Sequence, residues 1–308
     1  MTSLTAPDVV TSSTRTTVGQ LARIEAVRYA RHPLFLVGFL LAGVFSAGEF
    51  GPVELDYHVI PSFFIGVLGI IVAARLTAST DRAQPVLGAA PVSETARTAA
   101  MCLACLVPAV AGAAVVLMHR AFVLAEPFPD FMYDTYGSTD RFVITVVVPV
   151  IACAGGPLLG VAAARWLRFP GAALVTVLVT LFWSNIAAYV PSGSSMDPST
   201  LFARVLHMAT PYTAFVLGNG DGEHPTTVLT STTGSPTWWA VWTAALCGLA
   251  VTAALWRSAE GRTRSLVGRW FAALLVVALV SLTLSVATGN DRLWESTSRG
   301  TTPALNLP

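Results

Sequence analysis

The chain has 308 residues, of which 54% are hydrophobic and only 11% charged, with a net charge of +1. Soluble globular domains carry about 25% charged residues, so this composition excludes an ordinary soluble globule. Basic residues sit at the ends of apolar stretches rather than interleaved with aromatics on one surface, which gives no sign of nucleic-acid binding.

In chain order, residues 1–17 are polar and lack an apolar core, so they read as a disordered cytoplasmic tail and not as a cleaved signal peptide. Residues 18–33 read as an interfacial elbow helix. Val18, Leu21, Ile24 and Val27 recur every third residue, Arg23, Glu25, Arg28 and Arg31 supply charge, and Pro33 suits the first turn of a new helix. Seven apolar stretches follow, roughly 34–48, 59–74, 98–118, 142–164, 171–190, 237–256 and 270–287, and none holds an Arg, Asp or Glu. Each approaches the length that crosses ~30 Å of hydrocarbon as a helix. Charges in mid-membrane cost about 2.5–3.5 kcal/mol each on insertion scales, which accounts for their exclusion. The expected fold is all-α: a polytopic membrane bundle of about seven spans over 34–287, with 288–308 as an extracellular tail.

The links between the stretches differ in character. Segment 77–97 holds Pro85, Gly88 and Pro91, with Ser93 placed to start the third span, so a short helix and a turn are expected there. Segment 119–141 is acidic and aromatic and reads as lying along the outer surface. The semi-apolar stretch 199–218 is interrupted by Arg204, His207 and Pro211. It reads as a re-entrant or interfacial helix pair and not as an eighth span. Trp238, Trp239 and Trp242 then open the sixth span as an aromatic belt.

Arginine fixes the orientation. Of the 18 basic residues, 13 fall within 1–33, 75–97, 165–170 and 257–269, while 12 of the 17 acids fall on the other side. The arginine bias places the N-terminus inside, and an odd number of spans places the C-terminus outside. Every basic residue is Arg, and the chain has no Lys. A Walker motif needs its Lys on the nucleotide phosphates, so this chain does not bind ATP that way, and Lys nucleophiles are excluded too.

Few residues suggest chemistry. Cys102 and Cys105 form a CxxC that reads as a pair of small residues at a helix interface. Glu54, Asp56 and His58 read as an ordinary acidic turn, and Gly193-Ser194-Ser195 has no His in the last two spans to act as its base. The absence of acids within the spans weakens an ion-coupled transporter. Trp183 and Asn185 form a polar cluster inside the fifth stretch. They are substrate-path candidates, with an interhelical hydrogen bond as the simpler reading.

The order of these features resembles the ABC-2 type permease family, the membrane subunits of ATP-binding-cassette exporters. The resemblance covers about residues 18–256. It rests on the basic elbow with Glu25, Arg28, Arg31 and Pro33, on two spans joined by a short outer turn, and on a cytoplasmic loop. That loop carries Arg82, Pro85, Leu87, Ala89, Pro91, Val92, Ser93 and Arg97 and is similar to the family's coupling-helix stretch. The resemblance implies a type V exporter-like fold in the plasma membrane of a bacterial cell. It implies a dimer with a second permease copy or paralogue, and a separate ABC ATPase subunit that holds ATP and Mg and docks on 82–93. This chain would then be no enzyme, would carry no cofactor, and would move an amphiphilic or hydrophobic substrate. The seventh stretch departs from the family's usual six spans. A non-transporting scaffold or sensor subunit of a larger complex accounts for the same spans without a site.

Overall fold

A computed structural model describes residues 14–48, 59–82, 92–123, 137–189, 201–210, 228–232, 234–288, 292–297 and 300–306. Helix α1 spans Thr14–Ala30 and α2 spans Pro33–Gly48. Next come α3 (residues 59–82), α4 (94–123), α5 (Ser138–Trp166), α6 (Ala172–Tyr189) and the short α7 (Leu201–Met208). Strand β1 (Val228–Thr232) leads to α8 (Pro236–Ser258) and α9 (Gly261–Ala287), which β2 (Arg292–Thr297) and β3 (Gly300–Asn306) follow.

Five of these helices are long and apolar enough to cross a membrane: α3, α4, α5, α8 and α9. The pair α1–α2 would make a sixth span if taken as one, but it is bent by 63°. Pro33 explains the bend, since it disfavours helical backbone at His32 while suiting the first turn of α2. Helix α6 is apolar but shorter, and α2 has 16 residues. Among the described residues the count of clear spanning helices is therefore five or six, below the expected seven.

Close backbone approach fixes the centre of the bundle. Gly156 and Gly160, one turn apart on α5, lie against the carbonyl oxygens of Gly66 and Ile70 on α3. A Cβ at either glycine would overlap the facing carbonyl. This is the small-xxx-small pattern by which helices associate in lipid, where packing rather than hydrophobic burial drives contact. Gly69, further along α3, leaves room for both the Pro157 ring and the Tyr29 hydroxyl. Tyr29 is fully buried, stacks edge-on against Phe35 at 5.3 Å, and donates from its hydroxyl to the Gly69 carbonyl at 3.5 Å. Through Tyr29 the bent α1–α2 unit is seated on the α3–α5 seam.

Two of the helices widen by a π turn, at Ser62–Val67 in α3 and Val143–Val147 in α5. Pro149 accounts for the second. It brings no N–H, and its ring crowds the carbonyl one turn back, so the ladder shifts and the Val148 amide donates to Val143.

Outside the helical bundle, β1, β2 and β3 form an antiparallel sheet in that order, with Val228 opposite Ser296 and Thr297 opposite Gly300. The segment read as a tail, 288–308, carries two of these strands, while the apolar bundle is all-helical as expected. Trp, Thr and Leu favour extended backbone, and the sheet joins the residues after α9 to those before α8.

Candidate functional site

The predicted coupling stretch falls partly outside the described residues: Pro85, Leu87, Ala89 and Pro91 belong to 83–91, while Arg82, Val92 and Ser93 are described. Its two stems are well defined. Arg82 is the exposed last residue of α3. Ser93 caps α4, its hydroxyl accepting from the Ala96 amide at 3.2 Å with the extended backbone usual for that position.

Polar side chains gather where these stems meet α1, α5 and α8. On α1, Arg28 Nη1 makes a bidentate pair with Glu25 at 2.8 and 2.9 Å, and its Nη2 donates to the Ser79 hydroxyl on α3 at 3.1 Å. Ser79 in turn donates to the Leu76 carbonyl at 2.7 Å. Arg31, the third predicted elbow residue, is exposed just beyond α1. On the other stem, Arg165 at the end of α5 donates from Nη1 to Glu94 at 3.0 Å. The Arg165 side chain is only 3% exposed, so this charge is nearly withdrawn from solvent and its carboxylate partner offsets the desolvation. Next to Glu94, Thr95 donates to the Ser258 carbonyl at the end of α8 at 2.7 Å, and Trp166 donates to the Ala253 carbonyl at 3.0 Å. A polar cavity of about 240 Å³ lies among these groups, walled by Arg28, Arg97, Arg165, Glu25 and Thr77. At the α1–α2 bend, His32 Nδ1 accepts from the Leu34 amide at 3.3 Å. Partial burial, and after it the Arg75 guanidinium, hold His32 below its ordinary pKa, in keeping with a ring nitrogen that accepts.

Sequence reasoning named Glu25, Arg28 and Ser93 but missed the Glu94–Arg165 pair. Its members are 71 positions apart, and only the antiparallel course of α4 and α5 brings them together.

Of the second pair of candidates, only Trp183 has a described side chain. The Trp183 indole donates to the Ala209 carbonyl at 3.0 Å while its ring lines an apolar cavity of about 480 Å³. Asn185 lies on α6 two residues on, and its side chain is outside the described residues. Trp239 donates to the neighbouring Met208 carbonyl at 3.0 Å. Two indoles thus satisfy carbonyls at the end of α7 that the helix itself leaves unpaired. Arg204 of α7 donates to the Val286 carbonyl at 3.0 Å, near the end of α9. The aromatic-belt expectation is corrected here. Trp239 and Trp242 are buried against the bundle, and only Trp238 of the three is exposed. The turning of α8 points two indoles inward, where α7 supplies an acceptor for Trp239.

All four cysteines are free thiols; Cys105 donates to the Met101 carbonyl at 3.3 Å, and Cys247 approaches the Ile151 carbonyl at 3.7 Å. They act as small packing residues: the Cys153 side chain fills the space that Gly112 leaves open. Neither a family model, nor a curated protein, nor a solved structure matches the chain. What the chain shows of itself is therefore an apolar multi-helix bundle with the make-up of a multi-pass membrane protein.

Proposed function

We propose that this chain is the permease subunit of an ABC exporter, N-terminus in the cytoplasm, driven by ATP hydrolysed on a separate subunit docked at 82–93. One observation carries the proposal: the way both stems of that stretch are tied into the bundle. Arg28 joins α1 to the end of α3, Glu94 joins the start of α4 to Arg165 of α5, and Thr95 joins it to α8. A load applied to 82–93 therefore passes into five helices and not into a slack loop. The exposure of Ile24 and Val27 on α1 supports an interfacial elbow, because these residues face outward, where lipid would receive them. The absence of Lys supports a separate site for ATP.

The test is Ala89→Glu. A docked loop built from small and apolar residues would take an unpaired carboxylate into a packed interface, at a cost of several kcal/mol. A micromolar contact is worth about 8 kcal/mol, so binding should fall by orders of magnitude. Ala89→Glu should abolish export and co-purification of the ATPase at normal membrane abundance, while Ala125→Glu should leave both intact. Normal export and ATPase binding in both variants would reduce 82–93 to a plain loop and overturn the docking assignment.

A further inference from the structure

The apolar cavity beside Trp183 is built from α3, α5, α6, α8 and α9. Its back wall is α5, around Ala152, Gly155 and Leu159, and its flanks are Val179 of α6 and Leu246 and Ala250 of α8. Along α8 it runs from Thr243 to Ala253, ten residues or about 15 Å of helix. It is open on one side, because α6 packs on α3 and α5 but scarcely touches α8 or α9. Val179 and Phe182 of α6 are both exposed, so the surface of α6 near the gap is apolar.

Most of the polar groups at the wall are already engaged. Thr180 donates to the Thr176 carbonyl at 2.8 Å, Thr243 to the Trp239 carbonyl at 2.9 Å, and Trp183 to Ala209. Water needs two to four polar partners to occupy a cavity and would find almost none here. The occupant must be apolar, and the shape of the space bears on which apolar group it is: a cavity of about 480 Å³ drawn out along about 15 Å of helix is slender, as an extended hydrocarbon chain is. The length also equals about half of the ~30 Å hydrocarbon core, the depth of one leaflet.

We infer that this cavity holds an aliphatic chain, admitted from the bilayer through the gap between α6 and the α8–α9 pair. The inference goes beyond the exporter reading. It rests on the helices lying in a bilayer and not on ATPase docking, so the failure of either leaves the other standing. An aliphatic chain can come from a resident phospholipid or from a free amphiphile, and both present the same chemistry to the wall.

The experiment places the full-length protein in phospholipid nanodiscs containing a trace of photoactivatable acyl chain, either esterified in phosphatidylcholine or as the free fatty acid. Labelled peptides are then mapped by mass spectrometry. Labelling is expected on the cavity face of α5 and α8, around 152–159 and 246–253, as well as on lipid-facing Val110 and Val276. Leu246→Trp, which fills the space, should reduce cavity labelling at least fivefold and leave Val110 unchanged. Ala250→Leu, a smaller intrusion, repeats the test if the first variant fails to fold. Labelling by the esterified probe that free fatty acid does not displace marks a resident lipid, and displacement marks an exchangeable amphiphile. Cavity labelling no stronger than background, labelling indifferent to both substitutions, or cross-links from a second copy at these positions would overturn the inference.

Discussion

Gly156 has no side chain to contribute, yet its substitution is expected to be among the most damaging in the chain. Gly156→Leu would force side-chain atoms onto the Gly66 carbonyl, and overpacking costs about 1–3 kcal/mol even where neighbours can shift. Here the neighbour is backbone, so membrane abundance and melting temperature should both fall sharply. Gly43→Ala, at a position with no atom near its added Cβ, should be neutral or stabilising by up to about 1 kcal/mol. If the two variants melt alike, the seam is not as close as described. Glu94→Gln leaves a buried guanidinium beside a neutral amide and should likewise destabilise, by about 1–2 kcal/mol because solvent reaches Glu94 and screens the pair; Glu94→Leu combined with Arg165→Met should recover part of the loss. His32 has a definite sign. Its folded pKa is lowered, so stability is full above the ordinary value of about 6.5 and falls as pH drops toward the folded value. Melting curves at pH 7.5 and 5.5 should converge in His32→Asn relative to the parent. At this scale the sequence was unevenly legible. The Gly156-x-x-x-Gly160 spacing stands in the chain to be read, whereas no local pattern marks Arg165 as the partner of Glu94.

Among the elements, α7 shows what composition alone can settle. Arg204 and His207 read against an eighth span over 199–218, and the described part of that stretch holds α7, a helix of eight residues. Sequence could not say how so short a helix is held, because its anchors come from three other helices. Trp239→Phe removes the indole donor and leaves the Met208 carbonyl buried without it, a loss of about 1–3 kcal/mol. Amides of 201–210 should then exchange with deuterium faster, by about tenfold or more at 25 °C, while α5 is unchanged. Equal exchange in both proteins would mean that the indole does not secure α7. The β1–β2–β3 sheet escaped the reading for a different reason. Its strands are short and polar, and β1 lies more than 50 residues before the other two, so they carry no periodicity strong enough to stand out beside apolar helices.

At the scale of the molecule, the apolar helices were legible because a single physical demand, the exclusion of charge from hydrocarbon, writes itself along every one of them. How they sit against one another was not, since lipid-facing and buried residues are equally apolar. Exposed Leu40, Val110 and Phe182 could not be told from buried Ile65, Ile70 and Val161 by composition. The exporter reading sets two expectations for the whole chain. A reporter fused after Pro308 should be active only outside the cell, and a purely cytoplasmic signal would mean that α9 does not cross. Protein purified free of every other subunit should hydrolyse no ATP, and persistent turnover would defeat the separate-ATPase scheme.

The glycine contacts between α3 and α5 also limit how this molecule can move. Sliding one helix along the other by a turn, about 5.4 Å, would drive Ala152 or Ala164 into a slot that accepts no Cβ. The two helices are therefore geared together at a single setting and must travel as one strut. Pressure on the stems at Ser79 and Glu94 would arrive undamped at the far ends, where the π turns of Ser62–Val67 and Val143–Val147 lie. Deformation is left to α6, which leans on the strut from outside, and to α9, which packs on α8; these two are the jambs of the lateral gap.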